Sequence, residues 1–131
     1  MFYNVVRLAE SKMRSTPVFH GELSAFRREL LLGIGGFPTS LGADDSHTAT
    51  RIALAGYRSI AVDNAWCIEE VPSRGYNTWR SRRAQHLVQH FAATFRSLPG
   101  AKGVLKRILI AETYLHLVNP WIPVMAAILL L

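Results

Sequence analysis

Two adjacent carboxylates, Asp44 and Asp45, stand in "GADDSHTATR" (residues 42–51), between a glycine-rich apolar run and the body of a helix. Neighbouring carboxylates repel each other, and burial raises the pKa of whichever is kept from water. A carboxylate tuned in this way can act as general base toward an acceptor hydroxyl. The same residue types also serve as helix N-caps, accepting backbone N–H groups and favouring the helix dipole. Composition alone favours the cap, and one aspartate suffices for that. The second carboxylate is then free, so one would cap or orient while the other acts.

The stretch "YNTWRSRRAQHLVQHF" (76–91) is the second candidate. On a helix, Trp79, Arg82, Arg83 and His86 fall within one broad face, with Arg80 to the side. Guanidinium groups match phosphate oxygens bidentately and an aromatic ring offers a stacking face, which reads as a diphosphate clamp. The same pattern also fits a solvated basic helix beside a membrane, or a nucleic-acid surface. Among the five histidines only His86 and His90 share a metal-ligand spacing, with no third ligand nearby. There is no Walker loop, no Ser-His-Asp order and no cysteine cluster. The lone Cys67 excludes an intrachain disulfide, and "AWCIEE" reads as a strand burying it as a small hydrophobe.

The elements that must position these residues follow from periodicity and punctuation. A helix is expected over residues 1–15, stopped by Pro17. A short helix follows Ser24 as cap and ends at Gly33 or Gly35-Gly36. A further helix, capped by Asp44, Asp45 or Ser46, carries Ala49, Ile52 and Ala53 inward and ends at Gly56. "YRSIAV" and "AWCIEEV" read as two short strands. A long helix over 78–98 carries Leu87, Val88, Phe91 and Phe95 as its apolar stripe.

Charge is segregated along the chain. The net charge is +6 with a pI near 10.1, so acidic partners fit: nucleic acid, nucleotide phosphates or an anionic membrane. Between Val71 and Ala111 there are eight bases and no acid, and from Leu115 the last 17 residues carry no charge, counting His116 as neutral. That length is close to the roughly 20 apolar residues needed to span a bilayer, and the basic flank fits a cytoplasmic side. The N-terminus lacks the apolar core of a signal peptide. Ending on "AILLL" without a polar flank, the chain is expected either to continue in its natural product or to come from a truncated reading frame.

Taken in order, Gly21, Phe26-Arg27-Arg28, Gly35-Gly36-Phe37, Asp44-Asp45, Arg51, Gly56-Tyr57-Arg58, Glu70 and Pro72 form a series. Over about residues 18 to 98 this series resembles the acceptor-side half of membrane-anchored family 2 glycosyltransferases, the cellulose- and hyaluronan-synthase-like enzymes. Two departures stand out. The acidic pair is Asp-Asp rather than Glu-Asp, and the Gln-x-x-Arg-Trp element is degenerate, reading Trp79-Arg80-Ser81-Arg82-Arg83.

The resemblance implies an α/β fold: the incomplete C-terminal half of a GT-A-type domain (1–98), then an interfacial helix and a truncated transmembrane segment (99–131). It implies Asp45 as general base with Asp44 beside it, and Gly21, Trp79, Arg82 and Arg83 as substrate-binding residues. A nucleotide-sugar donor, a glycan or lipid-phosphate acceptor, a membrane and no nucleic acid are the implied partners. The family uses a divalent cation, Mg or Mn, but its Asp-x-Asp ligands are absent here, so no metal ligands are assigned. The implied reaction is transfer with inversion at the membrane, completed by a donor-binding half. The alternatives are a non-catalytic membrane-associated remnant and a basic nucleic-acid-binding protein. Residues 1–107 are placed on the cytoplasmic side of the cell membrane.

Overall fold

The computed structural model of the chain describes residues 2–65 and 67–130. Helix α1 (Phe2–Met13) leads through the segment 14–20 to a single 3-10 turn, Gly21–Leu23, and the short helix α2 (Arg28–Gly33). Helices α3 (Asp44–Leu54) and α4 (Tyr76–Phe95) follow, then α5 (Gly103–Thr113), a π-turn (Tyr114–Val118) and α6 (Trp121–Leu129). Helices α3, α4 and α5 pack in succession, and the π-turn lies against α4 and α5.

The core lies between α3 and α5. Ala53, Ala101, Leu105 and Leu109 form one buried cluster, with Leu54 and Leu98 packed against it. Burying each leucine of this kind contributes about 1.5–3 kcal/mol. Ala49, Ile52 and Ala53 point inward from α3 as their spacing implies. Much of the remaining buried face of α3 is hydroxyl. Ser46 Oγ accepts from the Phe19 N–H at 2.9 Å, Thr50 Oγ1 donates to the Pro17 carbonyl at 3.4 Å, and Ser59 Oγ donates to the Ala49 carbonyl at 2.6 Å. The first two bonds hold residues 17–19 along α3, directly beside the aspartate pair, and the third brings Ser59 to the same helix.

The stripe of α4 is turned by about one residue from the expected one. His90, Phe91 and Thr94 are buried, while Val88 and Phe95 are exposed. The reason is an aromatic column linking three elements. His47 of α3 meets His90 edge-on at 5.7 Å, Phe91 packs on His90 at 4.5 Å, and His116 stacks on Phe91 at 4.6 Å. Burial, and then His47, push the His90 imidazole down to about 3, so it is neutral.

Helix α1 is tied to α5 by buried carboxyls. Glu10 and Glu112 are both almost fully buried, and Thr16 Oγ1 donates to Glu10 Oε2 at 2.8 Å. Burial lifts Glu10 to about 7; the Thr16 bond opposes this and Glu112 adds to it. Burial works against a charge on His116, but the Glu112 carboxylate, 3.3 Å from Nδ1, holds it above its ordinary value.

Two expectations about the fold are corrected. The chain was expected to be α/β, yet no strand forms among the described residues. In the segment 57–62 one backbone bond to the stretch after α1, from the Thr16 N–H to the Ser59 carbonyl at 2.9 Å, takes the place of a ladder. The Ser59 and Ala61 N–H groups are taken by serine hydroxyls instead, Ser15 Oγ at 3.2 Å and Ser11 Oγ at 2.8 Å. In the second expected strand, Ile68 is 83% exposed, Cys67 is exposed rather than buried, and Trp66 lies outside the described residues.

The transmembrane segment is the second correction. Among the described residues no helix is long and apolar enough to cross a membrane. The π-turn and Pro120 interrupt the apolar run, and α6 has nine residues. At 1.5 Å per residue that is roughly 14 Å, about half a hydrocarbon core.

Candidate active site

The aspartate pair lies in the first turn of α3, where both carboxylates favour the helix dipole. Neither caps it. The N-cap is Ala43, and no side chain bonds the free N–H groups from that position. Ser46, the other expected cap, spends its hydroxyl on Phe19 instead. The two aspartates are separated by exposure: Asp44 is exposed and Asp45 half-buried.

The two oxygens of Asp45 have different surroundings. Oδ1 accepts the Ser46 N–H at 2.6 Å. Oδ2 faces Gly21, where an added Cβ would sit 3.4 Å away. A glycine there leaves the approach to Oδ2 open from the turn side. Burial raises the Asp45 pKa; the Ser46 N–H works against this, and the charges of Asp44 and Glu22 add to the rise. Oδ1 is therefore held by a backbone N–H while Oδ2 faces the turn, and the carboxyl as a whole is more basic than an ordinary aspartate.

Beside Gly21 stands a charged knot. Arg83 Nη1 donates to Glu69 at 2.6 and 2.7 Å and to Glu22 at 3.2 Å. Arg83 Nη2 lies 3.2 Å from His20 Nδ1. Burial, then the positive charge of Arg7 and the weaker influence of Arg83, keep His20 below its usual range, so its Nδ1 can accept. The Arg83 guanidinium also lies over Trp79 at 4.9 Å, and Tyr76 stacks beside Trp79 at 6.0 Å. Arg7 of α1 reaches the same region half-buried; Glu10, Glu112, Arg83 and Asp45 all act on its charge, and its buried Nε has no partner.

The structure thus brings together Asp45, Gly21, Trp79 and Arg83. Arg82 is exposed on α4. The expected His86–His90 pair is split: His90 is buried against His47, whereas His86 rides on Gly42, where a Cβ would collide with the imidazole. The Gly42 N–H donates to Gln89 Oε1 at 3.3 Å, so this close approach seats α4 on the loop before α3. Among the described residues no group of three His, Cys, Asp or Glu side chains is placed to hold a metal ion. The divalent cation does not fit this chain's own residues.

Sequence reasoning missed Glu22, Glu69, His20 and Arg7. Glu22 and Glu69 carried a faint signal, one adjoining Gly21 and the other lying in "IEEV" before Pro72. His20 and Arg7 carried none, because their partners lie on other elements.

Residues 1–131 match the family model described as Glycosyl transferase family group 2. The chain is similar to a mannosyltransferase, PcManGT from Pyrobaculum calidifontis, solved in complex with GDP-Man and Mn2+. The two are 60% identical with a TM-score of 0.87, over 96% of this chain and 36% of that one. Cellulose synthase 2 of Novacetimonas hansenii is 37% identical over 59 residues, 45% of this chain and 4% of the synthase. The chain therefore spans about a third of the length of the solved relative and a small part of the synthase. With the motif series in order, and the family model matched from end to end, the chain belongs to Glycosyl transferase family group 2.

Proposed function

We propose that the chain is the acceptor-side portion of an inverting glycosyltransferase that moves a sugar from a nucleotide-sugar donor to an acceptor hydroxyl. The observation carrying this reading is Asp45, with Oδ1 fixed by Ser46 and Oδ2 free against Gly21. Asp45 Oδ2 takes the hydroxyl proton as the acceptor oxygen bonds to the anomeric carbon. The bond from that carbon to the nucleoside diphosphate breaks, and the electron pair leaves with the diphosphate. GDP-mannose, bound by the mannosyltransferase relative, is the donor the comparison supports best.

The reaction is placed at a membrane, with residues 1–107 on the cytoplasmic side. Trp121, Ile122, Val124, Met125 and Ile128 of α6 are exposed, and the bases Lys102, Lys106 and Arg107 precede α6 in the chain, at the start of α5. An exposed apolar helix after a basic stretch suits an interfacial seat rather than a span.

The 131-residue chain alone is expected to show no transfer. Joined in one protein to a donor-binding half of the same family, it is expected to transfer mannose from GDP-mannose with Mn2+ present. Donor binding in the joined protein without transfer to any hydroxyl acceptor would favour the non-catalytic remnant.

A further inference from the structure

We propose that Arg83 is a positioning residue: by joining Glu22 to Glu69 it fixes the His20–Leu23 turn, and with it Gly21, against Oδ2 of Asp45. This rests on the reading of Asp45 as base for its functional meaning, but not for its geometry.

Arg83 stands where the Gln-x-x-Arg-Trp element of related enzymes would place tryptophan, so its role cannot be carried over from that motif. Its contacts define a different one. Nη1 is shared by two carboxylates from separate segments, Glu22 in the 3-10 turn and Glu69 in the stretch before α4. Nη2 takes His20 at the start of the same turn. The plane of the guanidinium rests on Trp79, one turn earlier on α4. A single exposed ion pair contributes little. A planar fork engaged by two carboxylates and an imidazole, and backed by a ring, instead imposes one geometry.

The turn needs such a brace. Among the residues of the Gly21–Leu23 turn none is buried, and its N-cap His20 makes no capping bond. Its backbone is closed by one long bond, from the Leu23 N–H to the His20 carbonyl at 3.4 Å. Ser46 anchors the chain only up to Phe19. Beyond Phe19, Arg83 is what ties the turn to the body of the protein through His20 and Glu22. Because Gly21 forms one wall of the approach to Asp45, moving the turn changes how an acceptor hydroxyl meets Oδ2. With its Nη groups so engaged, Arg83 acts through the turn and is not a resting ligand for phosphate.

The test uses the 131-residue chain labelled for NMR, with Arg83→Met, Arg83→Lys and Glu69→Gln. In Arg83→Met the Gly21 and Ser46 amide signals are expected to shift or broaden, and the His20 titration midpoint to rise as a nearby cation is lost. Glu69→Gln, which keeps the cation, is expected to disturb the same two amides, and carries the test if Arg83→Met does not fold. Arg83→Lys is expected to restore the His20 midpoint while only partly restoring the amides. Unmoved Gly21 and Ser46 signals in both Arg83→Met and Glu69→Gln would overturn the proposal. None of these readouts needs turnover, so they stand apart from the outcome at Asp45. In a joined, active enzyme Arg83→Met is expected to lower kcat roughly tenfold with donor KM unchanged. A raised donor KM with kcat unchanged would instead make Arg83 a phosphate ligand.

Discussion

Replacing Asp45 with asparagine is expected to lower the transfer rate of a joined enzyme by about 10²–10⁴-fold, the usual range for loss of a general base. Asparagine keeps the size of the side chain, and its carbonyl oxygen can still accept the Ser46 N–H that now engages Oδ1. What it loses is the proton acceptor facing Gly21. The loss is therefore expected in kcat, with donor KM nearly unchanged, the pattern of an interaction made in the transition state. Asp44→Asn gives the contrast. Asp44 is exposed and acts on Asp45 by charge alone, so its removal is expected to change the rate only a few-fold while lessening the rise of the Asp45 pKa. An Asp45→Asn enzyme that keeps its turnover would remove Asp45 from the chemistry.

The second large effect concerns stability against pH, where two buried groups oppose one another. His90 is about 6.5 when unfolded and about 3 when folded. Its contribution is present above 6.5 and is lost as pH falls toward 3, with a slope of about 1.4 kcal/mol per pH unit. Glu10 is 4.5 when unfolded and about 7 when folded. Its contribution is present below 4.5 and is lost as pH rises through 7, with a slope of similar size and opposite sign. Between 4.5 and 6.5 the two slopes cancel, so the wild-type chain is expected to show a plateau there. His47 and His20, both lowered, add to the His90 side; Asp45 and His116, both raised, add to the Glu10 side, Asp45 within this window and His116 above it. Removing one group at a time should tilt the plateau. In His90→Leu, stability is expected to rise as pH falls from 7 to 4.5; in Glu10→Gln it is expected to fall over the same range. Urea midpoints at half-unit pH steps would show this, and parallel profiles for both variants and the wild type would contradict it.

How far the sequence carried depended on where each signal resided. The helices of the body were legible because their periodicity and stops are local: Pro17 after α1, Gly56 after α3 and Pro99 after α4 lie close to the observed ends. Asp45 was singled out from the ordered series of residues around it, and that series could not tell which of its oxygens the Ser46 N–H engages. The first expected strand failed because serine side chains at Ser11 and Ser15 took the backbone donors a ladder would need. The cap failed for a similar reason, since Ser46 turned its hydroxyl to Phe19. The inward face of α4 was misread because the core accepts a neutral histidine, and hydropathy treats His90 as polar. The knot around Arg83 was illegible because Glu22, Glu69 and His20 lie 61, 14 and 63 positions away in the chain. Side chains that meet only after folding leave no spacing to read.

A single displacement with Asp45 as the base has a stereochemical signature. In a joined enzyme supplied with GDP-α-mannose and a hydroxyl acceptor, the anomeric configuration of the first-formed product can be read by NMR. A β-linked product, inverted at the anomeric carbon, is the expected result. An α-linked product, with configuration retained, would contradict the account.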